Sequence, residues 1–239
     1  MGLLPQTLPV KENKVQIDFG RCLCIHSMLQ MVDVTMQIIS FSRGFIPQTY
    51  QLLCRDESVP SRKFCENYSS IMSELREVFR SINRNLLTNV LVIIGSNYFT
   101  PLEVFDVKVE PCANHEHDIK LDGDVTVTCA QNCGELSQRE RRRIYTSLIL
   151  DNNNNAPGHR MSKNAKIFVM VKAKNKLNKT AKGIEFDQDF EPPSPEGIRK
   201  RHGQMTFIDT ANICGLTAPC IEESTGYWYR LSHSLSSIG

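Results

Sequence analysis

The sequence lacks the short motifs that identify common enzyme classes. It contains no glycine-rich phosphate loop, no Gly-x-Ser-x-Gly nucleophile elbow and no His-Glu-x-x-His zinc helix. It also lacks an apolar run long enough to span a bilayer, and we expect no secretory signal at its start. A net charge of +2 over 239 residues is too small to indicate nucleic acid or an anionic membrane as the main partner. These absences predict a globular protein without an evident active site.

Cysteine is present, but not in the pattern of a disulfide framework. The nine cysteines are odd in number and irregularly spaced, so we expect reduced thiols in the nucleus or cytoplasm. Cys112, His115, His117, Cys129 and Cys133 could together bind zinc. Their spacing matches no paired zinc motif, and unrelated loop side chains are the alternative. We therefore predict no metal and no cofactor.

The segment from Leu86 to Val109 predicts the centre of the fold. Val90 to Ile94 is the densest aliphatic and β-branched run in the sequence, which is typical of a strand covered on both faces. Gly95 to Asn97 supplies turn-forming residues, and an alternating apolar run follows from Leu102. This pattern predicts a β-hairpin in an antiparallel sheet, with a helix–loop–helix as the alternative.

Three other segments have the apolar spacing of helices. The first begins near Arg21 and ends before Gly44, the second begins near its candidate cap Ser61, and the third covers residues 135–150. Further strands are predicted at 125–128, 167–171, 204–208 and 227–231. This order predicts an α+β domain, with helices packed on one face of a mostly antiparallel sheet.

The domain organisation follows from composition. Residues 1–13 are polar and rich in proline, which predicts a flexible tail, and residues 14–239 form a single domain. The lysine-rich stretch 172–182 precedes an acidic stretch with three prolines. We therefore expect an exposed excursion at about 172–200.

The third predicted helix carries the candidate binding surface. It has two apolar stripes about 100° apart, one formed by Ile144 and Leu148 and the other by Tyr145 and Ile149. One stripe can face the core while the other stays outside beside Arg141 and Arg142, which is the composition of a protein-interface hot spot. The alternative is one broad packed face, because the whole apolar arc is only about 140° wide.

The strand pair and the third helix together resemble the comet family of HORMA-domain proteins. The resemblance is carried by Val90 to Asn97 with Pro101 and Glu103 to Asp106, and by Arg142 to Asp151, which is similar to the family's Arg-Arg-Leu-Phe helix. Weaker similarities lie at Ile46-Pro47, Ser61 to Lys63, Phe190 with Pro192, and Tyr227 to Tyr229. The resemblance implies a HORMA domain with a C-terminal segment like the family's safety belt.

The same resemblance implies a non-enzymatic adaptor of mitosis. Comet proteins bind the closed form of the HORMA-domain mitotic arrest deficient checkpoint protein through the third helices of both partners. They present it to an AAA+ remodelling ATPase, which promotes disassembly of the mitotic checkpoint complex and silences the spindle assembly checkpoint. Localisation in the nucleus and cytoplasm, and at the spindle or kinetochore during mitosis, is implied as well.

The resemblance also implies partner-binding residues. The family's interface phenylalanine falls on Tyr145, with Ile149, Arg141 and Arg142 around it. An interface glutamine near the end of the first helix falls on Ser42, or on Phe41 if the alignment shifts by one residue. A Pro-Lys pair falls on Pro192 and Pro193, so the family's lysine is missing from this chain.

Three other functions stay open on the sequence, and one of them is an enzyme that uses the cysteine and histidine residues of the loops. A HORMA domain can instead capture a short peptide as an added strand, as adaptors of meiosis and DNA repair do. The basic residues at 139–143 and 172–182 could also bind nucleic acid, although they could equally be a solvated surface.

Overall fold

The computed structural model describes residues 13–81, 87–110, 134–153, 164–176, 183–201, 203–210 and 226–238. Its helices are α1 (Ile25–Ser42), α2 (Tyr50–Leu53), α3 (Val59–Ser81), α4 (Gln138–Asn153) and α5 (Pro195–Lys200). Its strands are β1 (Asn13–Ile17), β2 (Leu87–Gly95), β3 (Pro101–Lys108), β4 (Lys166–Ala173), β5 (Ile184–Phe186), β6 (Gln204–Thr210), β7 (Tyr227–Leu231) and β8 (Leu235–Ser236). Within these ranges no helix combines the length and apolarity that a bilayer crossing requires.

The strands form one sheet in the order β1-β6-β3-β2-β4-β7-β5, and β8 also pairs with β4. Strand β6 runs parallel to both β1 and β3. All the other pairs are antiparallel. The predicted α+β class with a mostly antiparallel sheet is therefore confirmed.

The predicted hairpin is confirmed and lies at the centre of this sheet. Strand β2 pairs with β3 on one side and with β4 on the other. Every residue from Val90 to Ile94 is fully buried. Because side chains alternate between the faces of a strand, Val90 and Val92 join one apolar cluster while Leu91 and Ile93 join a second.

The larger cluster fills the space between the sheet and helices α1, α3 and α4. Its members include Met36 of α1, Leu75 of α3 and Ile144 of α4, all with no exposed surface. The spacing of the apolar residues predicts this arrangement, because each helix places its apolar face against the sheet.

The opposite face of the sheet is partly covered by residues of the segment 172–200, which composition predicts to be an exposed excursion. Strand β4 continues to Ala173, and β5 pairs antiparallel with β7. Phe190 and Ile198 are buried in the second cluster together with Trp228. The excursion predicted at about 172–200 is therefore wrong for these residues, since isolated apolar side chains among prolines and charges have no periodicity to reveal them.

The second cluster shows that the prediction of helices on only one face of the sheet is partly wrong. That prediction holds for α1, α3 and α4. The short helix α5 lies on the opposite face, where its Ile198 packs with Leu91 and Ile93. Its N-cap is Ser194, whose hydroxyl accepts a hydrogen bond from the Gly197 amide at 3.1 Å.

Some predicted boundaries and elements differ from the structure. Helix α3 begins at Val59, so Ser61 is not its cap but donates its hydroxyl to Asp56 Oδ2 at 2.7 Å. Strand β1 was not predicted, because only Val15 and Ile17 alternate into the core. Residues 1–12 of the predicted tail and the strand predicted at 125–128 lie outside the described residues.

We expect Gly95→Ala to destabilise the hairpin. A Cβ atom at Gly95 would lie 2.8 Å from the carbonyl oxygen of Asn97 and 3.1 Å from that of Thr100. Such crowding against backbone typically lowers the free energy of unfolding by about 1–3 kcal/mol. Urea denaturation measures this loss, and Ser96→Ala at the exposed neighbouring position is the control. Equal midpoints for the two variants would contradict the prediction.

Candidate functional site

Helix α4 begins with a reciprocal cap that sequence reasoning missed. The Ser137 amide donates to Glu140 Oε2 at 2.7 Å, and the Glu140 amide donates to Ser137 Oγ at 3.3 Å. This is a capping box, in which the first residue and the fourth satisfy each other's backbone donors. The spacing Ser137-x-x-Glu140 was the signal that could have placed the start of the helix at Gln138 rather than Glu135.

A buried ion pair fixes this end of α4 to the segment before α1. Arg21 Nε lies 2.6 Å from Glu140 Oε1, and Glu140 is only 8% exposed. Burial favours the neutral form of Glu140, but hydrogen bonds from Arg21 and Ser137 outweigh that effect and lower its pKa. The Leu136 amide also donates to Gln30 Oε1 of α1 at 2.6 Å. The orientation of α4 is therefore set by directional contacts as well as by apolar packing.

The two apolar stripes of α4 have different surroundings. Ile144 and Leu148 are sealed in the main core. Tyr145 is 47% exposed, as the spacing of the stripes predicts, and Leu150 is exposed too. Ile149 is half-buried and packs against the edge of the core. The outward surface of α4 is thus centred on the Tyr145 ring.

The arginines of α4 divide into two groups. Arg141 Nε donates to the Leu136 carbonyl at 3.2 Å, and Arg143 Nη1 donates to the Asp18 carbonyl. Arg139 and Arg142 are exposed, and Arg142 lies one helical turn from Tyr145. The basic run is therefore not a uniform cationic patch, because two of its four members contact the protein's own backbone.

The other predicted partner-binding residues lie on different elements. Phe41 and Ser42 are exposed at the end of α1, which packs against α4. Pro192 is exposed as well, but it follows Phe190, whose ring contacts Trp228 edge-on at 5.4 Å on the opposite face of the sheet. Phe41 and Ser42 therefore lie on a helix next to α4, whereas Pro192 lies in a different part of the molecule.

The C-terminal segment is held in place by a buried carboxylate on α3. Glu74 Oε1 lies 2.6 Å from His233 Nδ1 and accepts a hydrogen bond from the Ser232 hydroxyl. The Ser232 amide donates to the Gly183 carbonyl at 2.9 Å. Gly183 has φ +89°, and a side chain there would also collide with Glu74. Further along, the Ile238 amide donates to the Phe45 carbonyl at 3.0 Å, which ties the end of the chain to the end of α1.

Metal binding was weighed for the cysteine and histidine residues between β3 and α4. Those residues (Cys112, His115, His117, Cys129 and Cys133) lie outside the described ranges. Within the described ranges, no group of three or more histidine, cysteine or acidic residues is arranged to hold a metal ion.

No protein-family model matches this chain. A comparison with curated proteins finds a 77-residue match to mouse pyrin at 31% identity, covering 30% of this chain and 10% of pyrin. The chain thus spans about a tenth of the length of this relative. A likeness over so small a share of either sequence transfers no function.

We expect Glu140→Gln to destabilise the protein by about 2 kcal/mol at neutral pH, because it breaks hydrogen bonds made to a charged group. The pKa of Glu140 is lower in the folded than in the unfolded state. Its contribution is therefore complete above the unfolded pKa of about 4.3 and is lost as pH falls through the folded pKa. Chemical denaturation should show the same difference between wild type and variant at pH 7 and pH 5, and a smaller difference at pH 3.5.

The matched control for this prediction is Glu77→Gln. Glu77 pairs with Arg80 on the surface of α3, where both side chains are more than a third exposed. A pair so well solvated contributes well under about 1 kcal/mol. A Glu140 variant that behaves like the Glu77 variant, or whose effect does not change with pH, would show that the buried pair does not stabilise α4.

Proposed function

We propose that this chain is a HORMA-domain adaptor of the comet type. It binds the closed form of the HORMA-domain mitotic arrest deficient checkpoint protein and presents it to an AAA+ remodelling ATPase, which promotes checkpoint-complex disassembly and spindle checkpoint silencing. The observation that carries the proposal is the Tyr145 ring, 47% exposed on a helix whose other stripe is sealed in the core.

The surface around Tyr145 has the composition of a binding hot spot. Aromatic and arginine side chains are enriched at the centres of protein interfaces. Tyr145 has the exposed Arg142 beside it, and the exposed Leu150 lies further along α4. An ordinary interface covers about 800 Å² per partner, more than one helix face offers. The exposed Phe41 lies at the end of α1, a helix that packs against α4.

The tyrosine hydroxyl suits a surface that is wet in the free protein. The side chain presents a large apolar ring together with a polar tip that can stay hydrated before binding and find a partner afterwards. A phenylalanine in the same place would expose more purely apolar surface to water. Tyr145 in place of the family's phenylalanine is therefore compatible with an interface that forms and dissociates reversibly.

The C-terminal segment supports the HORMA part of the proposal. Strands β7 and β8 both return to β4, so the last residues form part of the central sheet. The Glu74 contacts to Ser232 and His233 fasten the connection between these two strands onto α3. This arrangement is compatible with a C-terminal segment like the safety belt of the proposed family.

An adaptor of this kind needs no catalytic group of its own. Hydrolysis of ATP belongs to the remodelling ATPase, and this chain contributes binding and orientation. Selectivity for the closed checkpoint protein follows if the contacted surface exists in only one of its two conformations, because a ligand shifts an equilibrium only through differential affinity. We place this activity in the nucleus and cytoplasm, and at the spindle or kinetochore during mitosis, as part of the same proposal.

Tyr145→Ala tests the proposal. Removing a central aromatic anchor typically costs about 2–4 kcal/mol of binding free energy, which corresponds to a Kd about 30-fold to about 1,000-fold higher. Isothermal titration calorimetry of the purified chain with the closed checkpoint protein measures this change. The melting temperature should stay within a few degrees of wild type, because the ring is half exposed.

Two control variants separate binding from folding. Phe99→Ala removes an aromatic ring that is 56% exposed in the turn of the hairpin, and it should leave the affinity unchanged. Ile144→Ala truncates a fully buried neighbour and should lower stability by about 2–5 kcal/mol. If Tyr145→Ala melts early yet binds normally, the ring stabilises the fold and α4 is not the interface.

A second role is favoured by the outer strand β5. It pairs with β7 and ends the described sheet, so its other edge can accept a peptide as an added strand. In that case the chain is a peptide-capturing HORMA adaptor of meiosis or DNA repair. A pull-down that offers the closed checkpoint protein in parallel with a panel of HORMA-binding peptides distinguishes the two roles.

A further inference from the structure

Two cysteine side chains from separate helices meet at the surface. Cys54 directly follows α2, and Cys65 lies in the second turn of α3. Their sulfur atoms are 3.2 Å apart, and both thiols are free. Cys54 is exposed while Cys65 is half-buried. A soluble oxidant therefore reaches Cys54 directly, with Cys65 immediately behind it.

Packing fixes the positions of both sulfur atoms. Leu53 beside Cys54 and Phe64 beside Cys65 are both buried in the main core. The Tyr50 ring of α2 lies 4.3 Å from the Tyr68 ring of α3, centroid to centroid. A disulfide bond is about 2 Å long, so closing this pair requires an approach of only about 1 Å, within the reach of small side-chain rotations.

The Cys65 thiol holds its proton tightly. Burial raises the pKa of Cys65 to about 12, and the hydrogen bond and charge interaction with Cys54 add to the shift. Cys65 therefore keeps its proton and can donate it towards the Cys54 sulfur. Cys54 is the exposed thiol of the pair, so it is the first that a soluble oxidant reaches.

We propose that Cys54 and Cys65 are a reversible redox pair that closes to an intramolecular disulfide in the presence of hydrogen peroxide. The Cys54 thiolate attacks the peroxide oxygen, an S–O bond forms, the O–O bond breaks and the departing hydroxide takes a proton to become water. The Cys65 sulfur then gives up its proton and attacks the Cys54 sulfenic acid. The S–S bond forms, the S–O bond breaks and a second water leaves. Two thiols lose two electrons in total, and one peroxide is reduced to two waters.

Reduction reverses the reaction by ordinary thiol exchange. A small thiol such as glutathione attacks one sulfur of the disulfide as a thiolate, and a second thiol molecule releases the mixed disulfide and restores both cysteines. In a reducing compartment the resting state is therefore the dithiol. The pair would report a rise in peroxide rather than serve as a permanent cross-link.

Closure has a consequence that can be measured without any binding partner. The disulfide would join α2 to α3 across residues 54–65 and so restrict the unfolded chain. For a loop of this length in a domain of this size, the melting temperature should rise by about 5–10 °C. The proposal is independent of the adaptor function, because neither cysteine belongs to the α4 surface.

Peptide mapping of the full chain provides the test. The purified, reduced protein is treated with hydrogen peroxide, its remaining thiols are alkylated with iodoacetamide, and it is digested with trypsin without reductant. Cleavage after Arg43, Arg55, Lys63 and Arg76 places Cys54 and Cys65 in separate peptides with one cysteine each. We expect these two peptides to be joined with the loss of two hydrogens, and dithiothreitol to separate them.

Three variants accompany the mapping. Cys54→Ser and Cys65→Ser should each abolish the cross-link and the rise in melting temperature, and Cys65→Ser should leave a Cys54 sulfenic acid that dimedone traps. Cys112→Ser, which removes a thiol elsewhere in the chain, should retain both effects. Reduced Cys54→Ser should melt within about 2 °C of the reduced wild type, because an exposed position tolerates so small a change.

Several results would overturn the proposal. One is full alkylation of both peptides after peroxide treatment, and another is a cross-link from Cys54 to a different cysteine. Sulfinic acid at Cys54 as the main product would also contradict it, since that product means Cys65 does not resolve the sulfenic acid in time. The mapping on wild-type protein needs no variant, so it decides the matter even if a variant is unstable.

Discussion

The structure depends on the burial of strand β2 on both of its faces. Val90 to Ile94 have no contact with solvent. Their aliphatic side chains alternate between the two faces of the sheet, so they are all buried only if other residues cover both faces. Helices α1, α3 and α4 provide the cover on one side, while Phe190, Ile198 and Trp228 provide it on the other. The segment that looks most polar in the sequence is therefore required, because without it Leu91 and Ile93 would face water.

The same requirement determines what α4 presents to solvent. The helix must bury Ile144 and Leu148 to complete the main core. Once that stripe is used, the stripe about 100° away lies at the edge of the core, where Ile149 is half-buried and Tyr145 is exposed. Tyr145 is left outside by the geometry of the helix rather than by a local defect in packing. An exposed ring that is a by-product of a well-packed stripe can take part in binding without a cost to the fold, which is the property an adaptor surface requires.

Local patterns predicted a good part of this architecture, and contacts distant in sequence account for most of what was missed. The run at Val90 with the turn after Gly95 identified the hairpin, and helical spacing separated Tyr145 from Ile144. Strand β1 and the burial of Phe190 depend on partners that no local periodicity encodes. The contact between Cys54 and Cys65 is of the same kind, since it arises from the way α2 folds back onto α3. The capping box at α4 is different, because its spacing was visible in the sequence.

Three buried carboxylates hold neighbouring elements of the fold in fixed positions. Glu140 binds Arg21 beneath the start of α4, Glu103 binds Arg43 Nε at 2.7 Å next to the exposed end of α1, and Glu74 holds the C-terminal segment. Apolar packing is non-directional and would tolerate small rotations of these elements. A buried charge tolerates almost none, because losing its partner leaves the full cost of desolvation. Each carboxylate therefore adds a fixed geometry to an apolar contact that would otherwise tolerate small rotations.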